Sequence, residues 1–100
     1  MIRWMSIVRL SAGKGVPAMQ WAKEMVEFAK KYEGAPPVHV FLDSFGDMGT
    51  IRFYADYDDL VAFELVSNQL VADEDYWKKI EEAKDLFIDG SNHTVVMREI

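Results

Sequence analysis

The stretch that decides the fold is residues 38–57, VHVFLDSFGDMGTIRFYADY. It holds two alternating runs of β-forming residues around Gly46-Asp47-Met48-Gly49, and a four-residue loop with a glycine at each end is typical of a β-hairpin. We predict strands over 38–45 and 50–57, with Phe45 opposite Thr50.

In that register one face of the hairpin is mainly apolar, whereas the other carries three cross-strand pairs. Those pairs are His39–Asp56, Phe41–Tyr54 and Asp43–Arg52. A slip of one residue would move charges into the apolar layer, so the hydrophobic pattern supports this arrangement. The two pairs of opposite charge support the same register.

Working outward, residues 2–10 predict a strand and residues 11–15 (SAGKG) a turn. Pro17 suits the first turn of a helix. Apolar residues at three- and four-residue spacing then predict an amphipathic helix that includes Lys30 and Lys31 and is ended by Gly34.

Asp58 or Asp59 can cap a second helix, because a short acidic side chain accepts hydrogen bonds from free backbone amides. We predict a break near Ala72-Asp73 and a second helical segment whose apolar stripe runs from Tyr76 to Phe87. Residues 93–100 predict a final strand.

The resulting order, β-α-β-β-α-β, predicts a single ferredoxin-like α+β domain over residues 1–100. Its four-stranded antiparallel sheet has helices on one face. The other face presents Phe41, Tyr54, Met5 and Ile7 among the charged pairs. An apolar surface surrounded by charged residues is unfavourable in water, and a second copy of the chain is the simplest partner that would bury it. We therefore expect a homodimer.

The amino-acid composition restricts which partners and which cellular compartment we expect. Seventeen acidic against eleven basic residues give a net charge of −6, which disfavours nucleic acid and anionic membrane surfaces as partners. No apolar run is long enough to span a membrane, and the N-terminal apolar stretch is too short for a signal peptide. The absence of Cys excludes disulfides and thiolate chemistry and fits a reducing, cytoplasmic setting.

Several short segments resemble the dimeric α+β barrel superfamily, which includes antibiotic-biosynthesis-monooxygenase-like and NIPSNAP-like domains. They are Leu10-Ser11-Ala12-Gly13-Lys14, Tyr57-Asp58-Asp59-Leu60, Asp75-Tyr76-Trp77 and Asp89-Gly90-Ser91. The resemblance covers nearly the whole chain and marks fold more than chemistry. It implies a homodimer whose two sheets pack into a barrel, with a pocket for a small organic ligand between sheet and helices in each subunit. It does not imply a particular reaction.

The candidate catalytic residues are His39, Asp56, Arg52 and Tyr54. His39 opposite Asp56 could act as a general base whose ring is oriented by the carboxylate. Arg52 beside Asp43 could hold an acidic group of a ligand. For each pair the alternative is a cross-strand contact that sets register or joins two subunits. The candidate ligand-binding residues are Trp4, Phe41, Asp43, Arg52, Tyr54 and Trp77, and for the aromatic ones, as for Trp21, the alternative is core packing.

Other chemistry is not indicated. Gly13-Lys14-Gly15 before a helix could bind an anion but lacks a phosphate-loop pattern, so a plain turn is favoured. His39 and His93 have no metal-ligand spacing, and neither helix supplies an axial histidine for haem. We expect no metal and no cofactor. Two functional hypotheses stay open: a pocket protein with cofactor-independent monooxygenase-like chemistry, and a non-catalytic self-association or ligand-binding module.

Overall fold

Residues 1–46 and 48–100 are described by a computed structural model. Within them lie four strands and three helices, in the order β1 (Ile2–Arg9), α1 (Gly15–Ala29), β2 (His39–Leu42), β3 (Thr50–Tyr57), α2 (Leu60–Val71), α3 (Glu74–Glu82) and β4 (His93–Arg98). The strands form one antiparallel sheet in the order β2-β3-β1-β4. The predicted ferredoxin-like α+β fold is confirmed.

The two central strands, β1 and β3, carry the core on one face. Val8 lies directly opposite Ile51, and both pack with Phe53 of β3 and with Ala18 and Ala22 of α1. Because alanine has the smallest side chain that still favours helix, α1 can approach the sheet closely at these two positions. Ile51 is 1% exposed, which places the centre of the core under α1.

Among residues 1–46 and 48–100, no helix lies against the opposite face of the sheet. Strand alternation places on it Arg3, Met5 and Ile7 of β1, Arg52, Tyr54 and Asp56 of β3, His39 and Phe41 of β2, and His93, Val95 and Met97 of β4. We call this surface the open face. Phe41 is 56% exposed there.

The hairpin register predicted from the sequence is wrong by two residues. His39 lies opposite Tyr54 and Phe41 opposite Arg52, and the backbone N–H of Asp43 donates to the carbonyl of Thr50 at 3.0 Å. Strand β2 ends at Leu42, so the connection to β3 is longer than the four residues predicted. Asp47, which the sequence places in it, lies outside the described residues.

The physical reason is that alternation of side chains fixes only whether a residue points to one face or the other. A shift of two keeps every side chain on its predicted face, so the apolar pattern cannot distinguish the two registers. Gly46 and Gly49 both have left-handed backbone, with φ of 86° and 87°. They therefore lie inside a wider turn instead of marking the corners of a four-residue one.

The helix boundaries follow their capping residues. The carboxylate of Asp59 accepts from the N–H of Ala62 at 2.8 Å and begins α2, which settles the choice between Asp58 and Asp59. The predicted break at Ala72-Asp73 is confirmed, because Asp73 accepts from the N–H of Asp75 at 3.0 Å and begins α3. No helix in these described ranges is long and apolar enough to cross a membrane.

Helix α1 ends earlier than predicted. Its last residue is Ala29, so Lys31 and Tyr32 lie beyond the helix, where Tyr32 is nonetheless buried. The hydroxyl of Tyr32 donates to Asp73 at 2.8 Å, and the ammonium of Lys31 pairs with the same carboxylate at 2.6 Å. Asp73 thus joins the end of α1 to the start of α3 as well as capping it.

Candidate functional site

A cavity of about 550 Å³ lies between the helices and the covered face of the sheet. All three helices contribute to its wall, together with β1, β3 and the segment that leads into β4. Its lining is mainly aromatic and aliphatic, and the aromatic members are Trp4, Trp21, Tyr32, Phe53, Tyr57, Phe63, Tyr76 and Phe87. The volume falls within the range of pockets that hold small organic ligands.

Trp21 holds the helical layer against the sheet at one end of this cavity. Its indole N–H donates to the backbone carbonyl of Lys79 at 2.9 Å, which ties α1 to α3. Its ring meets Phe53 and Phe87 edge-to-face, with centroids 6.2 and 5.5 Å away. Edge-to-face pairs are the favoured geometry for aromatic rings, so this cluster forms a firm wall.

The chain segment before β4 closes another side. Phe87 bridges to Leu10 just beyond β1, and the N–H of Ile88 donates to the carbonyl of Arg9 at 2.9 Å. Farther along, the hydroxyl of Ser6 donates to the side-chain oxygen of Asn92 at 3.2 Å. These bonds fasten a segment without regular secondary structure over the edge of the cavity.

Three hydroxyl groups in the lining have no hydrogen-bond partner among residues 1–46 and 48–100. They are Tyr57 at the end of β3, Ser67 on α2 and Tyr76 on α3. Burial raises the pKa of both tyrosine hydroxyls, because a poorly solvated site disfavours the phenolate. Both phenols therefore stay protonated at neutral pH and can donate a hydrogen bond.

The open face carries a different arrangement, built on two ion pairs. The guanidinium of Arg52 holds Asp43 through two hydrogen bonds of 2.9 and 3.2 Å. The predicted ion pair is thus confirmed, although Asp43 stands diagonally across from Arg52 and not opposite it. The Arg52 hydrogen bonds lower the pKa of the Asp43 carboxyl below its usual value.

The predicted pairing of His39 with Asp56 is wrong. Asp56 lies opposite Arg3 of β1 and accepts two hydrogen bonds from its guanidinium, at 2.7 and 3.0 Å. His39 lies opposite Tyr54 and stacks on its ring, with centroids 4.8 Å apart. The prediction considered only the hairpin partner of β3, whereas β1 on its other side offers Asp56 a bidentate cation.

Tyr54 is the centre of the open face. Its ring stacks with Phe41 at 5.7 Å as well as with His39, and the guanidinium of Arg3 lies 4.5 Å from its centroid. A cation over an aromatic ring is attracted by the ring's quadrupole. The face therefore presents an aromatic centre between two bidentate ion pairs.

The sheet separates most of the sequence-predicted ligand residues from the cavity. Trp4 lines the cavity, whereas Phe41, Asp43, Arg52 and Tyr54 lie on the open face. Trp77 is 52% exposed, and its indole donates to the carbonyl of Val71 at 2.9 Å. The roles of these residues in binding or catalysis stay predictions.

The polar cavity residues Tyr57, Ser67 and Tyr76 were not selected from the sequence as ligand candidates. The sequence did carry a signal for two of them. Tyr57 shares a face of its strand with the buried Phe53, and Tyr76 is the first residue of the predicted apolar stripe of α3. That pattern indicates which way a side chain faces. It does not indicate whether a tyrosine hydroxyl finds a partner after folding.

In the described part of the chain, no group of three or more acidic or histidine side chains is placed to hold a metal ion. Gly13-Lys14-Gly15 does form a turn into α1, with Gly13 in left-handed backbone and Lys14 at the N-cap without a side-chain cap bond. Anion binding at that turn stays untested.

Comparison with known proteins shows which solved structures share this fold. No family model and no curated protein matches the sequence. Solved structures do match: an uncharacterized NIPSNAP domain protein from Burkholderia xenovorans has a TM-score of 0.81 at 16% identity, over 100% of this chain and 95% of its own. A NIPSNAP family protein of unknown function from Agrobacterium tumefaciens has a TM-score of 0.78 at 18% identity, over 97% of this chain and 86% of its own.

A third structural neighbour is described as an antibiotic biosynthesis monooxygenase. Its TM-score is 0.76 at 15% identity, and the match covers 100% of this chain and 99% of that protein. At such identities the likeness establishes the fold alone. The resemblance drawn from the short segments of sequence is confirmed at that level, since the chain has the α+β fold shared by NIPSNAP and antibiotic-biosynthesis-monooxygenase-like proteins.

The ion pairs of the open face predict how stability depends on pH. The Arg3 hydrogen bonds lower the folded-state pKa of Asp56 below its ordinary value of 3.8, so in acid the unfolded chain binds more protons than the folded one. The stabilisation is complete above that ordinary value and is lost as the pH falls through the lowered folded-state pKa. We expect Asp56→Asn to reduce the slope of unfolding free energy against pH below 3.8, measured by urea unfolding.

Asp85→Asn is the matched control, because Asp85 is exposed and makes no ion pair in the described part of the chain. It should keep the wild-type slope. Equal slopes for Asp56→Asn and wild type would contradict the ion-pair argument.

Proposed function

We propose that this protein binds a small, mainly apolar organic molecule in the cavity between its helices and its sheet, and that it does so as a homodimer. The observation that carries the first part is the cavity of about 550 Å³ whose lining contains tyrosine and serine hydroxyls without partners. An interior evolved only for packing would be filled, because each void forfeits dispersion contacts and stability. An apolar pocket with a few polar groups is the usual form of a ligand site.

An enzymatic version of this proposal is cofactor-independent monooxygenase-like chemistry on the bound molecule. Its support is the structural neighbour described as an antibiotic biosynthesis monooxygenase. Any such chemistry would use groups that line the cavity, because the sheet lies between the cavity and His39, Arg52, Tyr54 and Asp56. The non-catalytic alternative is a ligand-binding or self-association module, and it is favoured by the pairing of the charges at the centre of the open face.

The second part of the proposal is that two copies meet through their open faces. The Arg3–Asp56 and Arg52–Asp43 pairs leave the middle of this face without net charge, while the chain as a whole carries −6. Two copies would therefore repel each other least when these faces meet. Phe41, on the edge strand β2 and stacked on Tyr54, supplies an exposed aromatic side chain, and aromatic residues are enriched among the residues that dominate interface energetics.

Ligand binding is tested by filling the cavity. N-phenyl-1-naphthylamine, an uncharged probe that fluoresces in apolar surroundings, is expected to bind saturably at one molecule per chain. Ala29→Phe places a ring in the cavity lining and should weaken binding at least about tenfold, since the ring and the probe compete for one space. Fluorescence titration measures both.

The matched control is Ala72→Phe, because Ala72 is exposed and does not line the cavity. It should bind the probe as the wild type does. Non-saturable fluorescence in the wild type, or equal binding by both variants, would contradict the cavity as the site.

The dimer is tested by changing one exposed side chain on each side of the molecule. Light scattering coupled to size exclusion should give a mass of twice 11.5 kDa for the wild type at micromolar concentration. Phe41→Lys replaces an exposed aromatic side chain of the proposed interface with a charge, so we expect the dissociation constant of the dimer to rise at least about tenfold.

Val61→Lys serves as control, because Val61 is 75% exposed on α2 in the helical layer. It should remain dimeric. A stable wild-type species of 11.5 kDa, or dissociation by Val61→Lys but not by Phe41→Lys, would show that the open face is not the interface.

A further inference from the structure

We propose that the cavity selects apolar molecules bearing an uncharged hydrogen-bond acceptor, such as a ketone, ester or amide carbonyl, and that Tyr57 and Tyr76 donate to it. This inference rests on the proposed ligand-binding function of the cavity. It adds the chemical class of the ligand and the residues that recognise it.

The first step is the position of the two phenols. The ring of Tyr57 meets Phe63 edge-to-face at 5.3 Å, and the ring of Tyr76 meets Trp77 in the same geometry at 5.1 Å. These ring contacts restrict both side chains, while neither hydroxyl has a partner in residues 1–46 and 48–100. Fixed donors recognise a ligand at low entropic cost.

The second step is that both hydroxyls open onto free space. In the described residues no buried side-chain nitrogen or oxygen lacks a hydrogen bond, so neither phenol is sealed inside the protein. Burial nevertheless raises the pKa of both, which means that bulk water solvates them poorly. Both residues line the cavity, which is a space that meets these conditions.

The third step concerns the charge of the ligand. In the described lining the basic residue is Lys84, which is exposed and pairs with Glu81 at 3.4 Å, and the acidic residue is Asp89, also exposed. A charged ligand group would lose its hydration without gaining a buried counter-ion. A neutral acceptor loses less hydration free energy on entering the cavity and gains a hydrogen bond from a phenol. A carbonyl group is therefore favoured over a charged group.

Ser67 is the third unpartnered hydroxyl in the lining, and the selection does not depend on it. A serine within a helix can turn its hydroxyl to the carbonyl of the preceding turn. A tyrosine hydroxyl at the end of a packed ring has no such local alternative. The two phenol hydroxyls are therefore the groups that need a hydrogen-bond acceptor from the ligand.

The test compares two probes that differ only in a carbonyl oxygen, 1-tetralone and tetralin, by isothermal titration calorimetry. The quantity measured is the Kd of 1-tetralone divided by the Kd of tetralin, since this ratio cancels the shared hydrophobic contribution. We expect Tyr57→Phe, Tyr76→Phe, or both, to raise the ratio about three- to tenfold, which is the usual effect of one hydrogen bond. Ser44→Ala removes a hydroxyl from the exposed hairpin loop and should leave the ratio unchanged.

The outcomes separate the two proposals. A raised ratio in either phenylalanine variant with tetralin binding intact supports carbonyl selection by that phenol. Binding of both probes with the wild-type ratio in both variants overturns the selection and leaves the ligand-binding proposal standing. Binding of neither probe to the wild type counts against the cavity as a site for this class of molecule and overturns both.

Discussion

The pairing of β1 with β3 is the constraint on which the rest of the structure depends. Directly opposed residues run from Ile2–Tyr57 to Arg9–Thr50, and in this register the charged residues of both central strands lie on the open face and none on the covered face. A slip of one residue would move either Arg3 of β1, or Arg52 and Asp56 of β3, into the helix-covered core, where unpaired charges are strongly disfavoured. The opposed pair Arg3–Asp56 reinforces the register on the open face while Val8–Ile51 reinforces it inside.

From this constraint the two faces acquire separate properties. Small residues on α1 let that helix lie close to the sheet over Ile51, whereas bulky rings at Trp21, Phe63 and Tyr76 frame the cavity. The helical layer and the cavity share one face, and the ion pairs and the Tyr54 stack share the other. The proposed ligand binding and the proposed self-association therefore lie on opposite sides of one sheet.

The alternation in residues 38–57 was sufficient to predict which side chains of the hairpin share a face. The element order β-α-β-β-α-β was sufficient to predict the ferredoxin-like arrangement with an open sheet face. The alternation could not predict the hairpin register, because a shift of two residues preserves every face and the loop length is set by local turn geometry at Gly46 and Gly49. The Asp43–Arg52 ion pair was still predicted correctly, since long side chains reach a diagonal neighbour.

The remaining differences come from contacts between distant segments. The partner of Asp56 is Arg3, more than fifty residues away, and pairing within the hairpin alone gave His39 instead. The cavity likewise arises because three helices and a sheet leave space between them. Its volume depends on tertiary packing and cannot be predicted from a local sequence pattern. Sequence periodicity placed Tyr57 and Tyr76 on inward-facing positions, but the hydrogen bonding of their hydroxyls could be determined only from the structure.

Methionine methyl resonances test the separation of the two faces most directly. Met25 lines the cavity, whereas Met5 and Met97 lie on the open face. In ¹³C-methyl NMR spectra, adding N-phenyl-1-naphthylamine should shift the Met25 methyl, and diluting the protein through its dimer dissociation should shift those of Met5 and Met97. A probe that shifts Met5 and Met97 while Met25 stays unchanged would contradict the account.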